Sequence, residues 1–193
     1  MNPSLIRVDQ ITPTPWLNGG GITRDLVAWP APDDWALRIS LADIEKDGPF
    51  SAYPGVQRWF VVLQGHGVRL RWPQRTVKLT MDNPPLNFDG APPPGCALLD
   101  GPTRDLNLLI NEDRAEGSMQ RVVAGIEHRV PAALRAVFTC HDARLQIDGA
   151  PALALPAWSL LWTPAAAHQR WKLSAKAPGL RAWWIDVQPL AAS

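Results

Sequence analysis

Two cysteines, one tyrosine and four lysines in 193 residues exclude much of what this chain could be. Cys96 and Cys140 form no Cys-x-x-Cys pair, so a disulfide scaffold is not expected and both read as small buried hydrophobes. Lys46, Lys78, Lys172 and Lys176 are scattered, and no Lys/Arg block occurs. With a net charge of +1 and only 19% charged residues, neither nucleic acid nor an anionic membrane is an expected partner. No apolar stretch approaches the roughly 20 residues that span a bilayer. The first ten residues, MNPSLIRVDQ, lack the basic segment and apolar run of a signal peptide, so a cytoplasmic location is expected. Helical periodicity is nearly absent as well; residues 131–136 (PAALRA) are the one helical candidate, two turns at most.

What is present points to strands. Twenty prolines, fourteen glycines and ten tryptophans accompany 46% hydrophobic residues, a composition suited to many short strands and tight turns. Residues 35–43 alternate, with Trp35, Leu37, Ile39 and Leu41 on one face and Ala36, Arg38, Ser40 and Ala42 on the other. Residues 58–65 are apolar on both faces, as in a central strand. Residues 68–72 alternate again, 104–111 form another strand, and 83–95 read as an irregular proline-rich connection. From Met119 the pattern restarts, with Asp148-Gly149 as a hairpin turn. The polar stretch 111–118 is the expected hinge between two β-rich halves, 1–112 and 113–193. The whole predicts an all-β protein of two barrels or sandwiches. Ten large rings are expected mostly in their cores, with Trp16 an exception at the mouth of a glycine loop.

That loop lies in PWLNGGGITRDL, residues 15–26. Consecutive glycines suit left-handed backbone or close approach to the main chain. Its amides could form an anion-holding nest, although the loop lacks the Lys-Ser/Thr ending of a phosphate-binding P-loop. The competing interpretation is a tight turn that lets Trp16 and Thr23 pack on neighbouring strands.

Taken together, W-x-N-G-G-G-x-T-R (16–24), R-I-S (38–40), D-G-P-F-S-x-Y-P-G (47–55), R-W-F-V-V-L-x-G-x-G (58–67) and G-P-T-R-D-L-N-L (101–108) resemble the HutD/Ves family. The resemblance covers about the first 110 residues. It implies a bicupin, two RmlC-like jelly-roll barrels packed as one unit, with no established enzyme activity. It also implies a setting in bacterial histidine utilisation or stress responses, and for the HutD branch a role in sensing or buffering a metabolite.

Cupin barrels often carry a metal, but His66, His128, His141 and His168 stand alone, without His-x-His spacing. Arg58 occupies the stretch where a metal cupin would carry ligands and would repel a cation, so a metal-free protein without a cofactor is expected. No G-x-S-x-G elbow is present, and no catalytic residue is assigned. Asp43 and Glu45 share a strand face as a glycosidase-like pair would, or form a solvated strand end. Arginine carries the signal, because a guanidinium fork suits a carboxylate and stays charged when buried. Arg38 sits among small residues with Ser40 beside it, which leaves room for a ligand. Arg24, Arg58 and Arg104 lie in similar blocks; for Arg24 and Arg104, each followed by Asp, structural ion pairs compete with ligand roles, and Asn107 could add an amide or be a satisfied core Asn. The candidate ligand-binding set is Arg38, Ser40, Trp16, Asn18, Gly20, Thr23, Arg58, Arg104 and Asn107. The expected function is non-enzymatic binding of a small carboxylate of the urocanate, formylglutamate or formate class, in regulation or metabolite handling. Two alternatives stand beside it. A metal-free isomerase or epimerase would need an acid and a base, commonly His and Tyr, of which Tyr53 is the single tyrosine. A stress-associated protein-binding module would show no enclosed pocket.

Overall fold

A computed structural model describes residues 3–176 and 178–191. Among them the chain forms nineteen strands and a lone three-residue 3-10 turn, Val8–Gln10, so the all-β class expected from composition is what is seen. The described residues divide into two compact units, 11–115 with 190–191, and 3–10 with 116–189. The division falls inside the polar stretch 111–118.

The first unit holds a six-stranded sheet in the order Thr14–Pro15, Gly21–Ala31, Asp34–Ile44, Thr103–Asn111, Val56–Gln64 and Leu86–Asp89. A four-stranded sheet, in the order Gly48–Pro49, Gly95–Leu98, Val68–Arg71 and Thr76–Leu79, supplies the other layer. Val56–Gln64 pairs with the distant Thr103–Asn111, and all pairs given for both sheets are antiparallel. One apolar cluster joins the layers: Ile44, Phe60, Val62 and Phe88 come from the large sheet, Val68, Leu70, Leu79 and Cys96 from the small one. The alternation in Asp34–Ile44 decides what the large sheet presents. Leu37, Ile39 and Leu41 are fully buried on one face, while Arg38, Ser40 and Ala42 turn the other way.

The second unit repeats the two-layer plan. Its five-stranded sheet runs Ser4–Arg7, Ser159–Thr163, Leu134–Thr139, Ala182–Pro189 and Ala115–Arg121. Its four-stranded sheet runs Glu127–His128, Trp171–Ser174, Ala143–Ile147 and Leu153–Leu155. Val137, Leu161 and Trp184 from the first meet Leu145, Trp171 and Leu173 from the second. Residues 3–10 fall with this unit because Ser4–Arg7 pairs with Ser159–Thr163. Asp148 and Gly149 both have positive φ, at 50° and 77°, in a turn closed by the Ala150 N–H donating to the Ile147 carbonyl at 2.9 Å, where the hairpin turn is expected.

Three local expectations are corrected. Residues 131–136 are not helical: Leu134–Thr139 is a strand buried at every position, and a short apolar run carries no period that separates it from a helix. Residues 83–95 are not wholly irregular, since Leu86–Asp89 forms an edge strand against Gln57–Phe60 with its prolines outside the paired segment. Of the ten tryptophans only Trp171, Trp183 and Trp184 are buried, and the rest are half-buried. Among the described residues, no helix is long and apolar enough to cross a membrane.

Candidate functional site

The register of the large sheet in the first unit builds the site. Asp25 lies opposite Ser40, which lies opposite Asn107, which lies opposite Phe60. In the next row on the same face, Leu109 lies opposite both Arg38 and Arg58. Asp25, Arg38, Ser40, Arg58, Asn107 and Leu109, with Ala42 and Thr23, line an open cavity of about 400 Å³. Trp16, Leu17 and Asn18 from the glycine loop, and Pro49, Phe50, Ser51 and Tyr53 from the 47–55 segment, close its sides.

Two arginines in this cavity live in different surroundings. Arg38 is bidentate to Asp25, with Nε to Oδ1 and Nη2 to Oδ2 both at 2.8 Å. That hydrogen-bonded pairing raises its pKa further. The Nε–Nη2 edge of its fork is therefore filled by a carboxylate of the chain itself, a partner that alternation on its own strand does not indicate. Arg58 has no carboxylate partner among the described residues. Its Nε and Nη2 both donate to the single Oδ1 of Asn107, at 3.0 and 2.6 Å, and Nη1 has no hydrogen-bond partner there. The guanidinium carbon sits 4.1 Å from the centroid of the Phe50 ring, with Phe60 and Phe88 within 6 Å. Burial brings its pKa down to about 10. Arg58 thus stays a cation at neutral pH in largely apolar surroundings.

The remaining candidates separate cleanly. Arg24 and Arg104 do not line the cavity. Both bond Asp43, Arg24 Nη1 at 2.8 Å and Arg104 Nε and Nη2 at 2.5 and 2.9 Å. Asp43 alternates with Ala42, a lining residue, so it faces away from the cavity. Burial works against the Asp43 charge, but these two arginines outweigh it and hold its pKa below the ordinary value. Asp43 is therefore neither half of a glycosidase-like pair nor a solvated strand end. Trp16 Nε1 donates to Thr23 Oγ1 at 2.7 Å, anchoring the loop to the first long strand.

The glycine loop is a tight turn rather than an anion nest. Its amides are used internally: Gly19 N–H donates to the Trp16 carbonyl at 3.0 Å, and Gly20 N–H to Asn18 Oδ1 at 3.0 Å. Gly19 has φ of +64°, the left-handed value expected of such a loop. Gly20 is not in that region, and it does not line the cavity. Gly21 is needed for a different reason: a Cβ there would lie 2.2 Å from the Asp43 carbonyl oxygen.

Sequence reasoning passed over Asp25 as the partner of Arg38, and it placed Phe50 only inside a family-like block. It also missed Asp105, a fully buried carboxyl on the face shared by Asn107 and Leu109. In the second unit, buried Arg135 donates through Nε to Asp186 Oδ1 at 2.6 Å and also bonds the carbonyls of Gln169 and Val130. His128 Nε2 meets Asp186 Oδ2 at 2.6 Å and stacks on Trp184. That interior charge is fully answered within the chain. A second groove of about 690 Å³ in this unit, around His141, Arg144, Leu155 and Lys176, has no comparable buried donor among the described residues that line it. Among the described residues, no cluster of three or more His, Cys, Asp or Glu is placed to hold a metal ion.

The HutD family model matches residues 8–180. The chain belongs to the HutD family. It is 35% identical over 118 residues to an uncharacterized 21.2 kDa protein in the hutC 3' region of Pseudomonas putida, covering 60% of this chain and 62% of that protein. It is 32% identical over 107 residues to protein Ves of Citrobacter koseri, covering 54% and 56%. The matches thus span about six-tenths of these curated relatives. Among solved structures, a conserved protein of unknown function from Pseudomonas aeruginosa PAO1 superposes with a TM-score of 0.88 at 28% identity, covering 98% of this chain and all of that one. HutD from Pseudomonas fluorescens SBW25, solved in a formate condition, gives 0.86 at 26% identity with the same coverage. An oxalate decarboxylase variant from Bacillus subtilis, at 0.64 and 9% identity, covers 94% of this chain and 76% of that one and shares the fold alone. This HutD-family chain is all-β and cupin-like, as its sequence motifs imply, and its Pseudomonas putida relative lies in a hutC 3' region.

Proposed function

We propose that this HutD-family protein binds a small carboxylate in the cavity of its first unit and serves metabolite sensing or handling in histidine utilisation, in the cytoplasm, without chemistry of its own. One observation carries the reading: Arg58 is a cation in an aromatic surround, lining an open cavity, with Asn107 as its one hydrogen-bonding partner among the described residues. Such a charge is stabilised by an anion that brings two oxygens to its free donor edge. Ser40 and Asn107 add neutral polar contacts, and Trp16, Phe50 and Tyr53 offer apolar walls for a short carbon skeleton. The fluorescens relative, solved in a formate condition, supports formate as the first probe. Urocanate and formylglutamate are the larger members of the same chemical class. Among the described residues Tyr53 lines the cavity but no histidine does, so the customary acid–base pair of an isomerase is incomplete there.

Calorimetry with formate, urocanate and formylglutamate tests the reading. Arg58→Gln is expected to weaken a carboxylate that binds by roughly 2–5 kcal/mol, and Arg58→Lys to restore it only in part. Arg38→Ala is expected to weaken it less, because that fork already serves Asp25. Equal affinity in the wild type and Arg58→Gln would overturn the assignment.

A further inference from the structure

Asp105 is a carboxyl with no exposed surface. Its Oδ2 accepts a hydrogen bond from Thr103 Oγ1 at 2.9 Å, and its Oδ1 has no partner among the described residues. A buried polar atom without a partner is uncommon in a native fold and asks for a reason. Asp105 and Asn107 alternate on one strand, so they are same-face neighbours about 7 Å apart. The Arg58 guanidinium is bonded to that Asn107. Asp105 therefore stands one step along the strand from the cation of the cavity.

Few other charges reach this interior. Arg58 comes from Val56–Gln64 and Asp43 from Asp34–Ile44, and both act on Asp105. Cys96, from the small sheet, is kept a neutral thiol by burial, which pushes it up to about 12. Tyr53, Arg38 and Asp47 lie further out, acting on Arg58 or Cys96. Burial drives the Asp105 pKa well above the ordinary carboxylate range, against the opposing pull of Thr103 and Arg58. The Arg58 charge can then be answered in two ways. Asp105 ionises toward it, or Asp105 keeps a proton and an anion in the cavity takes that role.

Building on the carboxylate reading, we propose that the cavity takes up its anion together with one proton, and that Asp105 holds that proton. The step balances. The ligand contributes one negative charge, Asp105 gains one proton from solvent, and no bond of the ligand forms or breaks. What enters is chemically the whole acid, delivered as carboxylate and proton. Uptake is greatest where Asp105 is ionised in the free protein and absent where it is already protonated. Affinity for formate, which stays ionised throughout, therefore falls by up to about ten-fold for each pH unit above the Asp105 value in the free protein.

The test is formate titration calorimetry on the full chain from about pH 6 to about pH 9, in buffers of different ionisation enthalpy. The expected wild-type result is a heat that depends on the buffer, with proton uptake rising toward one as pH increases. Asp105→Asn is expected to show buffer-independent heat and a flat affinity profile. Formate binding with no uptake at any pH overturns the linkage and leaves the carboxylate reading standing. Uptake that persists in Asp105→Asn overturns the assignment to this residue. Absence of any formate binding to the wild type removes formate from the carboxylate reading and this linkage with it. If Asp105→Asn does not fold, the wild type's protonated-carboxyl infrared band must grow when formate is added at the upper end of the pH range, and an unchanged band overturns the proposal.

Discussion

Replacing Arg58 and Asn107 together by Met and Leu is expected to leave the fold as stable as before, or more so, while abolishing carboxylate binding. Burial that brings the Arg58 pKa down to about 10 disfavours its charged form by about 3 kcal/mol. Against this stand the bonds to Asn107, worth about 1.5–3 kcal/mol for a charged donor, and the contact with Phe50, worth about 0.5–2 kcal/mol. The terms nearly cancel. Apolar side chains facing Phe50, Phe60 and Phe88 add packing, as when buried ion pairs are exchanged for hydrophobes. Arg58→Met alone should lose about 1–3 kcal/mol, because it strands the Asn107 amide. The second change should recover that loss. Thermal melts give the readout, at about 2–4 °C per kcal/mol for a chain of this size. A double variant melting more than about 10 °C below the wild type would refute the reasoning and make Arg58–Asn107 a structural pair.

Three further outcomes are expected. Asp43→Asn should lose about 1–2 kcal/mol at neutral pH, since Arg24 and Arg104 both bond this carboxylate. Because the folded-state pKa of Asp43 is depressed, its contribution is present above the ordinary carboxylate value and is lost as pH falls through the folded value. Urea unfolding should show the two proteins converging below about pH 4, and a gap that persists at about pH 2 would contradict this. Gly21→Ala should lose about 1–3 kcal/mol through collision with the Asp43 carbonyl, whereas Gly20→Ala, meeting the movable Asn18 side chain at 3.1 Å, should lose less than about 1 kcal/mol. Equal losses at the two positions in thermal melts would count against the close-approach argument. Arg135→Met should lose about 3–5 kcal/mol by leaving Asp186 buried with His128 alone, and a melt within about 3 °C of wild type would sink that claim.

The parts of this molecule that follow local rules are readable in the sequence. Alternation put Arg38, Ser40 and Ala42 on one strand face, and they do line the cavity. Asp148-Gly149 declared its hairpin because few dipeptides tolerate two positive φ angles in succession. What escaped depends on pairing between distant segments. Asp25 reaches Arg38 across a register irregularity between Asp25 and Val27, and single-strand alternation carries no trace of it. Asp105 sits in TRDLNLLI, where neither neighbour tells whether the carboxyl faces water or the interior. Three successive glycines looked alike as letters, yet Gly19 is required for its φ and Gly21 for a carbonyl overhead, while Gly20 carries neither constraint.

The pairing of Ser4–Arg7 with Ser159–Thr163 gives the chain an order of assembly. On the ribosome the first strand of the second unit emerges more than 150 residues before its partner. At about 5–20 residues per second, it waits for roughly 8–30 s. Meanwhile nearly all of the first unit, residues 11–115, becomes available in one continuous stretch. Those residues can collapse while Leu5 and Ile6 still lack a neighbour to cover their backbone groups. A nascent chain halted before Ser159 therefore carries an unpaired strand, a ready template for a second chain.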